Sequence, residues 1–284
     1  MGSWRFSQAR EVVVVCPRTA GCDVRSAKRL ANNAVDDVYL AASPDGKKIA
    51  FCSGDAVDRD IRIYDNAASS NTLFSNMTGE NTFPAFSPDS KTIAWVNING
   101  GTYTFNKKNL DGSGSASHSM GAVYVGHLSF SPDGTRIGFC TWDGSNFQIA
   151  VIWADFSSYW MVTNGTRHVR YPRWSQTNDR FIYCSAEDGS GDYQLAYLNT
   201  DFYSGNTSAP NLLTHEPWAH FLEDVSPDGY QLMYDAIPPT TGNRDIYYYD
   251  LYYETSTRVT YNPATDTWGR FLRPTTASGT ITGY

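Results

Sequence analysis

Ser43-Pro44-Asp45-Gly46 recurs along the chain as Ser87-Pro88-Asp89-Ser90, Ser131-Pro132-Asp133-Gly134 and Ser226-Pro227-Asp228-Gly229, with a degraded copy at Ser175-Gln176-Thr177-Asn178. Successive serines stand 44, 44, 44 and 51 residues apart. A fixed period of this size implies an array of like units, each too small to bury its apolar face alone. The tetrapeptide itself has a mechanism. Proline presets φ at the second position, Asp tolerates the third, Gly accepts a backbone that other residues resist, and the serine hydroxyl closes the turn. Between two apolar runs this is a hairpin.

The residues after each turn repeat as well. Six positions beyond the serine stand Ile49, Ile93, Ile137, Phe181 and Leu232; eight positions beyond stand Phe51, Trp95, Phe139, Tyr183 and Tyr234. Period two in large apolar residues predicts a strand with one buried face. A second run follows in each unit, as in Ile61-Arg62-Ile63-Tyr64-Asp65 or Gln148-Ile149-Ala150-Val151-Ile152-Trp153, then a loop, a shorter run and the next lead-in strand. Four short strands in about 40–45 residues is the pattern of a propeller blade.

Five turns are visible, and both ends carry spare strands. Glu11 to Cys16 and Val24 to Leu30 precede the first turn, and material from Trp268 to Tyr284 follows the last blade. The expectation is an all-β, six-bladed β-propeller with four-stranded antiparallel blades, the last closed by both termini through strands at 11–30 and 268–284. Residues 1–284 then form one domain. Closure of this kind removes the open sheet edges on which other chains could pair.

The hairpins, their step, and Val259-Thr260-Tyr261-Asn262-Pro263-Ala264-Thr265-Asp266-Thr267-Trp268 before the final blade resemble the propeller domain of the TolB-like, WD40-like repeat family. The resemblance runs from about Val35 to Tyr284 and is specific for fold. It implies protein partners and a periplasmic or secreted location. The same repeat occurs in binding proteins, peptidases and lyases, so it leaves the activity open. The resemblance is to the propeller alone, and a counterpart of the extra N-terminal α/β domain of TolB is not expected within these residues.

Composition narrows the classes. The net charge of −7 argues against nucleic acid, since phosphate neutralisation needs a basic surface. No apolar run approaches the ~18 residues of a membrane span. Met1-Gly2-Ser3-Trp4 does not read as a signal peptide, which leaves open a cytoplasmic chain or a leader removed ahead of these residues. A monomer is expected. Cys52, Cys140 and Cys184 each lie nine residues after their turn serine. One position in three blades is too far apart for bridging, so these read as buried thiols. Cys16 and Cys22 flank a short loop, and a bridge between them stays open.

In a propeller the segments before the lead-in strands ring one mouth of the central channel. They are dissimilar here, charged and aromatic, as suits a surface that contacts something. The candidate ligand-binding residues are Asp37, Glu80, His127, His168, Arg170, His220, Glu223, Asp266, Trp268 and Arg270. No catalytic residue is assigned: there is no Gly-x-Ser-x-Gly elbow, no His-Glu-x-x-His and no phosphate loop. No cofactor is expected. The first reading is a non-enzymatic recognition propeller that takes a protein segment or a glycan at the mouth. The alternative is a carbohydrate-active enzyme, a metal-assisted lyase or a glycoside hydrolase, with His127, His168 and His220 on a divalent metal. Their offsets of −4, −7 and −6 from the turn serine weigh against a common metal.

Overall fold

The computed structural model describes residues 37–55, 57–178, 181–199, 209–239, 242–261, 266–267 and 269–271, with the strand pair partner at 14–15. These residues contain five four-stranded antiparallel sheets. Blade one holds β2 (Asp37–Ala42), β3 (Lys48–Asp55), β4 (Asp58–Asp65) and β5 (Ser70–Ser75), after β1 (Val14–Val15). Blade two holds β6 (Glu80–Phe86), β7 (Thr92–Asn99), β8 (Thr102–Asn109) and β9 (Ala116–Gly121). Blade three holds β10 (Val125–Phe130), β11 (Arg136–Trp142), β12 (Phe147–Trp153) and β13 (Tyr159–Met161). Blade four holds β14 (Val169–Trp174), β15 (Phe181–Glu187), β16 (Tyr193–Asn199) and β17 (Asn211–Leu212). Blade five holds β18 (His220–Val225), β19 (Gln231–Ala236), β20 (Asp245–Asp250) and β21 (Thr255–Arg258).

Each tetrapeptide makes the hairpin between the first and second strands. In the first, Ser43 Oγ donates to Asp45 Oδ1 at 2.6 Å, Lys48 N donates to Ser43 Oγ at 2.9 Å, and Gly46 N donates to Ser43 O at 2.9 Å. The same bonds recur at Ser131 and Ser226, where the fourth residue is again a left-handed glycine. Ser90 takes this conformation at φ 60° in place of glycine, and its Oγ accepts from Asp45 N of the neighbouring turn. At the degraded copy Ser175 Oγ accepts from Asn178 N at 3.2 Å, a looser version of the same turn.

The expected six-bladed architecture is corrected. There are five four-stranded blades among the described residues, and the first and fifth are joined by a two-stranded parallel pair. In that pair Val14 faces Arg270 and Val15 faces Phe271, on β22 (Arg270–Phe271). The physical reason lies in the direction of the chain. Blade strands are joined by hairpins and so alternate, whereas these two come from opposite ends of the sequence, run the same way, and have no Ser-Pro-Asp-Gly turn between them. The rest of the expected sharing segments at 11–30 and 268–284, apart from Gly269, lies outside the described residues, as do Cys16 and Cys22.

The first strands are neighbours around the axis, β2 to β6 to β10 to β14 to β18, with β22 between β18 and β2. Every one of the five carries a β-bulge. The prediction of one buried face for the second strands is also corrected: Ile49, Ala50, Phe51 and Cys52 are all buried. Blades stack face to face, so both faces of these strands are covered. Phe105 and Phe139, for example, meet edge to face at 5.0 Å between blades two and three. Cys52, Cys140 and Cys184 are buried free thiols. The expected common register is corrected: Cys52 and Cys140 lie opposite Val38 and Gly126, but the equivalent position in blade four, opposite Arg170, is Ser185, because the degraded turn is one residue longer. No helix among the described residues is long and apolar enough to cross a membrane.

Candidate functional site: the channel mouth

The bulges shape the middle of the channel. Tyr39, Phe83, His127 and Tyr171 each stand four residues before their turn serine, and each adopts a left-handed backbone, with φ between 52° and 58°. Such a conformation is strained for an aromatic residue. It turns the ring inward, and the rings meet in sequence: Tyr39 to Phe83 at 4.4 Å, Phe83 to His127 at 4.5 Å, His127 to Tyr171 at 4.5 Å. In blade five Leu222 stands at this position, and Phe221 meets Tyr171 at 5.9 Å. This collar divides the channel. Burial, helped by the positive charges of Arg173, Arg170 and Arg270, holds His127 well below the ordinary imidazole range. The ring is therefore neutral near pH 7.

Below the collar, toward the turns, lie two cavities of about 20 and 130 Å³. Arg173 and Arg270 line both, with His127 at the smaller and Asp224, Ser43, Ser129 and Gln176 at the larger. Arg270 closes the ring of first strands. Its Nε donates to Leu40 O at 2.7 Å and its terminal nitrogen to Glu223 Oε2 at 3.0 Å, tying blade one to blade five. Phe271 N donates to Asp224 Oδ2 at 2.8 Å. Arg173 donates through Nε to Glu223 O at 2.7 Å; burial, then Arg270 beside it, lowers its guanidinium to about 10. Behind Glu223 lies Asp235, whose carboxyl burial and the Glu223 charge push well above the carboxylate range, with Arg244 Nε 3.0 Å away. Arg270 and Glu223 are thus held by each other, and Arg173 and Asp224 by backbone groups.

Above the collar the channel opens into the mouth formed by the starts of the first strands and the hairpins between the second and third. One position at the head of each third strand decides its character: Arg59, Tyr103, Phe147, Tyr193 and Arg244. The rings run on from each other. Tyr103 lies 5.5 Å from Tyr124, Tyr124 5.2 Å from Phe147, and Tyr193 5.6 Å from Phe221. Tyr124 folds over Gly126, where a Cβ would lie 2.5 Å from its hydroxyl, so the glycine is what admits the ring. Guanidinium groups lie on this belt: Arg59 over Tyr39 at 5.9 Å, Arg170 over Phe147 at 3.6 Å, and Arg244 over Phe221 at 4.6 Å. Trp142 is 39% exposed at the rim and stacks on His168 at 6.0 Å.

The candidate residues divide between these levels. Asp37 and Glu80 begin the first strands of blades one and two. Glu80 is ion-paired with Arg59; burial raises its carboxyl while Arg59 opposes the shift. His168 Nδ1 accepts from Phe147 N at 3.0 Å and its own N donates to Glu187, so it braces the mouth beside Arg170. His220 is buried, bonded to Thr214 Oγ1 at 2.8 Å, and burial lowers it to about 4. His127 sits in the collar, and Glu223 and Arg270 sit below it. Asp266 is buried, its N donating to Arg244 O at 2.7 Å. Trp268 lies outside the described residues. The three histidines are not gathered at one centre, and among the described residues no group of three or more His, Cys, Asp or Glu is placed to hold a metal ion.

Sequence reasoning missed Arg59, Phe147, Tyr193 and Arg244, and the collar as a set. The signal was present in both cases. Four aromatic or imidazole rings share the offset of −4, and Arg59, Tyr103 and Phe147 share the offset of +16 from the turn serine, with Tyr193 and Arg244 at +18.

Bladed sheets around an axis, with the first strands innermost and a plugged channel, define a β-propeller. A family model described as the TolB beta propeller domain matches residues 22–217, and the chain belongs to that family. TolB from Acinetobacter baumannii superposes with a TM-score of 0.71 at 19% identity, over 86% of this chain and 59% of that one. An oligogalacturonate lyase in complex with manganese superposes with a TM-score of 0.58 at 16% identity, over 82% and 68%. Dipeptidyl-peptidase 5 of Porphyromonas gingivalis is 34% identical over 77 residues, 24% of this chain and 11% of the peptidase. The chain thus spans a small part of that relative and about three fifths of the A. baumannii protein.

Proposed function

We propose that this propeller is a recognition module that takes a segment of a partner protein at the mouth above the collar, in a periplasmic or secreted setting. The observation that carries the reading is the belt itself: aromatic rings and stacked guanidinium groups brought from all five blades to one end of a plugged channel. Rings supply contact area at little cost in side-chain entropy, and arginine supplies orientation, the combination that dominates protein interfaces. The resemblance to TolB propellers, which implies protein partners, supports the same choice. The level below the collar is a poorer candidate, because its charged groups are already engaged: Arg270 with Glu223, Arg173 with the Glu223 and Pro172 carbonyls, and Asp224 with Phe271 N.

A photo-reactive residue placed at Trp142 tests this against one placed at Asp89 on the turn end. The expected result is a specific protein crosslink from position 142 and none from 89. Crosslinks from 89 alone, or a crosslink from 142 that persists when Phe147 and Tyr193 are both replaced by alanine, would contradict it.

A further inference from the structure

We infer that Arg170 is a carboxylate-recognition residue of the mouth, so that the partner segment is one bearing an Asp, a Glu or a free C-terminus at the position that enters between Phe147 and Tyr193. This inference rests on the proposed recognition of a protein segment.

Three arginines lie on rings of the mouth, and two already have carboxyl partners. Arg59 is paired with Glu80 and Arg244 with Asp235. Arg170 has no ion pair among the described residues. Its guanidinium carbon lies 3.6 Å above the Phe147 ring and 5.6 Å from the Tyr193 ring. Its Nε is buried without a hydrogen-bond partner, and its side chain also lies within hydrogen-bonding reach of the neighbouring Tyr171 hydroxyl, which is no anion. A guanidinium presents five N–H donors in a rigid plane. Ring faces compensate the charge in part, but they accept none of the in-plane donors.

The cation is also oriented. Phe147 covers one face of the guanidinium plane, so a ligand must approach along its edge, where a carboxylate can take two parallel bonds. Phe147 is held in turn by its backbone bond to His168, and Trp142 meets Phe147 at 4.9 Å. The site is thus a fixed fork with an aromatic wall.

A protein carboxylate suits this wall better than a sugar acid. Stacking of a sugar needs an open ring face. Here Phe147 has Arg170 on it, Trp142 has His168 stacked on it at 21°, and Tyr124 meets Phe147 at 81°. Little flat surface is left. An extended segment with a carboxylate and a neighbouring apolar side chain can use ring edges.

The test is selection of phage-displayed random linear nonapeptides on the intact chain, repeated on Arg170→Gln, Arg170→Lys and Trp142→Ala, each checked for unchanged melting. The expected result is at least fivefold enrichment of Asp or Glu at one position, or of peptides with a free C-terminus. Enrichment should vanish with Arg170→Gln and weaken with Arg170→Lys, which keeps the charge and loses the fork. If Arg170→Gln does not fold, the lysine variant carries the test: undiminished enrichment there overturns the inference. Binders that need Trp142 but show no acidic preference overturn the carboxylate claim and leave the mouth reading intact. No binders, or binders indifferent to Trp142→Ala, overturn both. Oligogalacturonate that displaces selected peptides tenfold better than it does from Arg170→Gln, with no acidic peptide selected, would assign Arg170 to a sugar acid instead.

Discussion

The two ends of the channel are made from the same repeat, yet they are built in opposite ways. At the turn end the same few side chains recur, and they satisfy one another: serine to aspartate, serine to backbone, turn to neighbouring turn. At the mouth the equivalent positions read Arg, Tyr, Phe, Tyr and Arg, and the side chains reach across blades. Identical residues at identical positions are what a repeating scaffold needs to close. Different residues at identical positions are what a single asymmetric partner needs. The collar lets the two ends differ, because it plugs the channel between them.

The largest effect should come from the point where the ring of first strands closes. Arg270→Ala removes the tie to Leu40 O and leaves Glu223 buried beside Asp235 without its cation. Breaking a buried pair in this way costs about 3–5 kcal/mol, read as a shift of the urea midpoint. A change below ~1 kcal/mol would mean that β22 does not join blades one and five.

The collar can be probed by pH. His127 and His220 both have folded values below their unfolded ones, so the unfolded chain binds more protons as pH falls from about 6.5. Stability should therefore be fully present above that pH and decline toward pH 4, the value to which His220 is lowered. His127→Phe places in blade three the ring that blade two already carries at Phe83 in the same left-handed conformation. Proton uptake on unfolding at pH 5 should fall by about one, with the fold intact. An unchanged uptake would show that His127 is charged in the native collar.

The turn end gives a smaller, more uniform signature. Ser43→Ala, Ser131→Ala and Ser226→Ala should each cost about 1 kcal/mol, alike within error, and Ser175→Ala in the degraded turn less. Unequal costs among the first three would break the claim that the turns are interchangeable. Smallest of all is Ser90→Gly. Relief of the left-handed serine is offset by the lost bond from Asp45 N, so thermal melting should move by no more than a degree or two.

The same contrast explains what could be read in the sequence. Turns declare themselves through proline, aspartate and glycine at fixed spacing, so the five hairpins and the four-stranded repeat were legible. The expected six blades exceed the five found among the described residues, and the degraded turn hid a one-residue shift that takes Cys184 out of register with Cys52 and Cys140. The closing strands were not, because Val14–Val15 and Arg270–Phe271 find each other only once the blades have formed the ring. Nor was the bulge in each first strand: the rings it turns inward, Tyr39, Phe83, His127 and Tyr171, share one offset from the turn, but nothing in that spacing announces the left-handed backbone that aims them. Of the candidate residues, His168 and Arg170 fell in the mouth belt. His127, Glu223 and Arg270 belong to lower levels, since the first strand descends the channel and a few residues of offset become a change of depth.

The central claim is that partners are met at the mouth. Hydrogen–deuterium exchange of the chain with and without a selected peptide tests it most directly. The account predicts protection confined to residues around 142–147, 168–170 and 193–194, with the turns at 43–46, 87–90 and 131–134 unchanged. Protection at those turns, with none at the mouth, would contradict it.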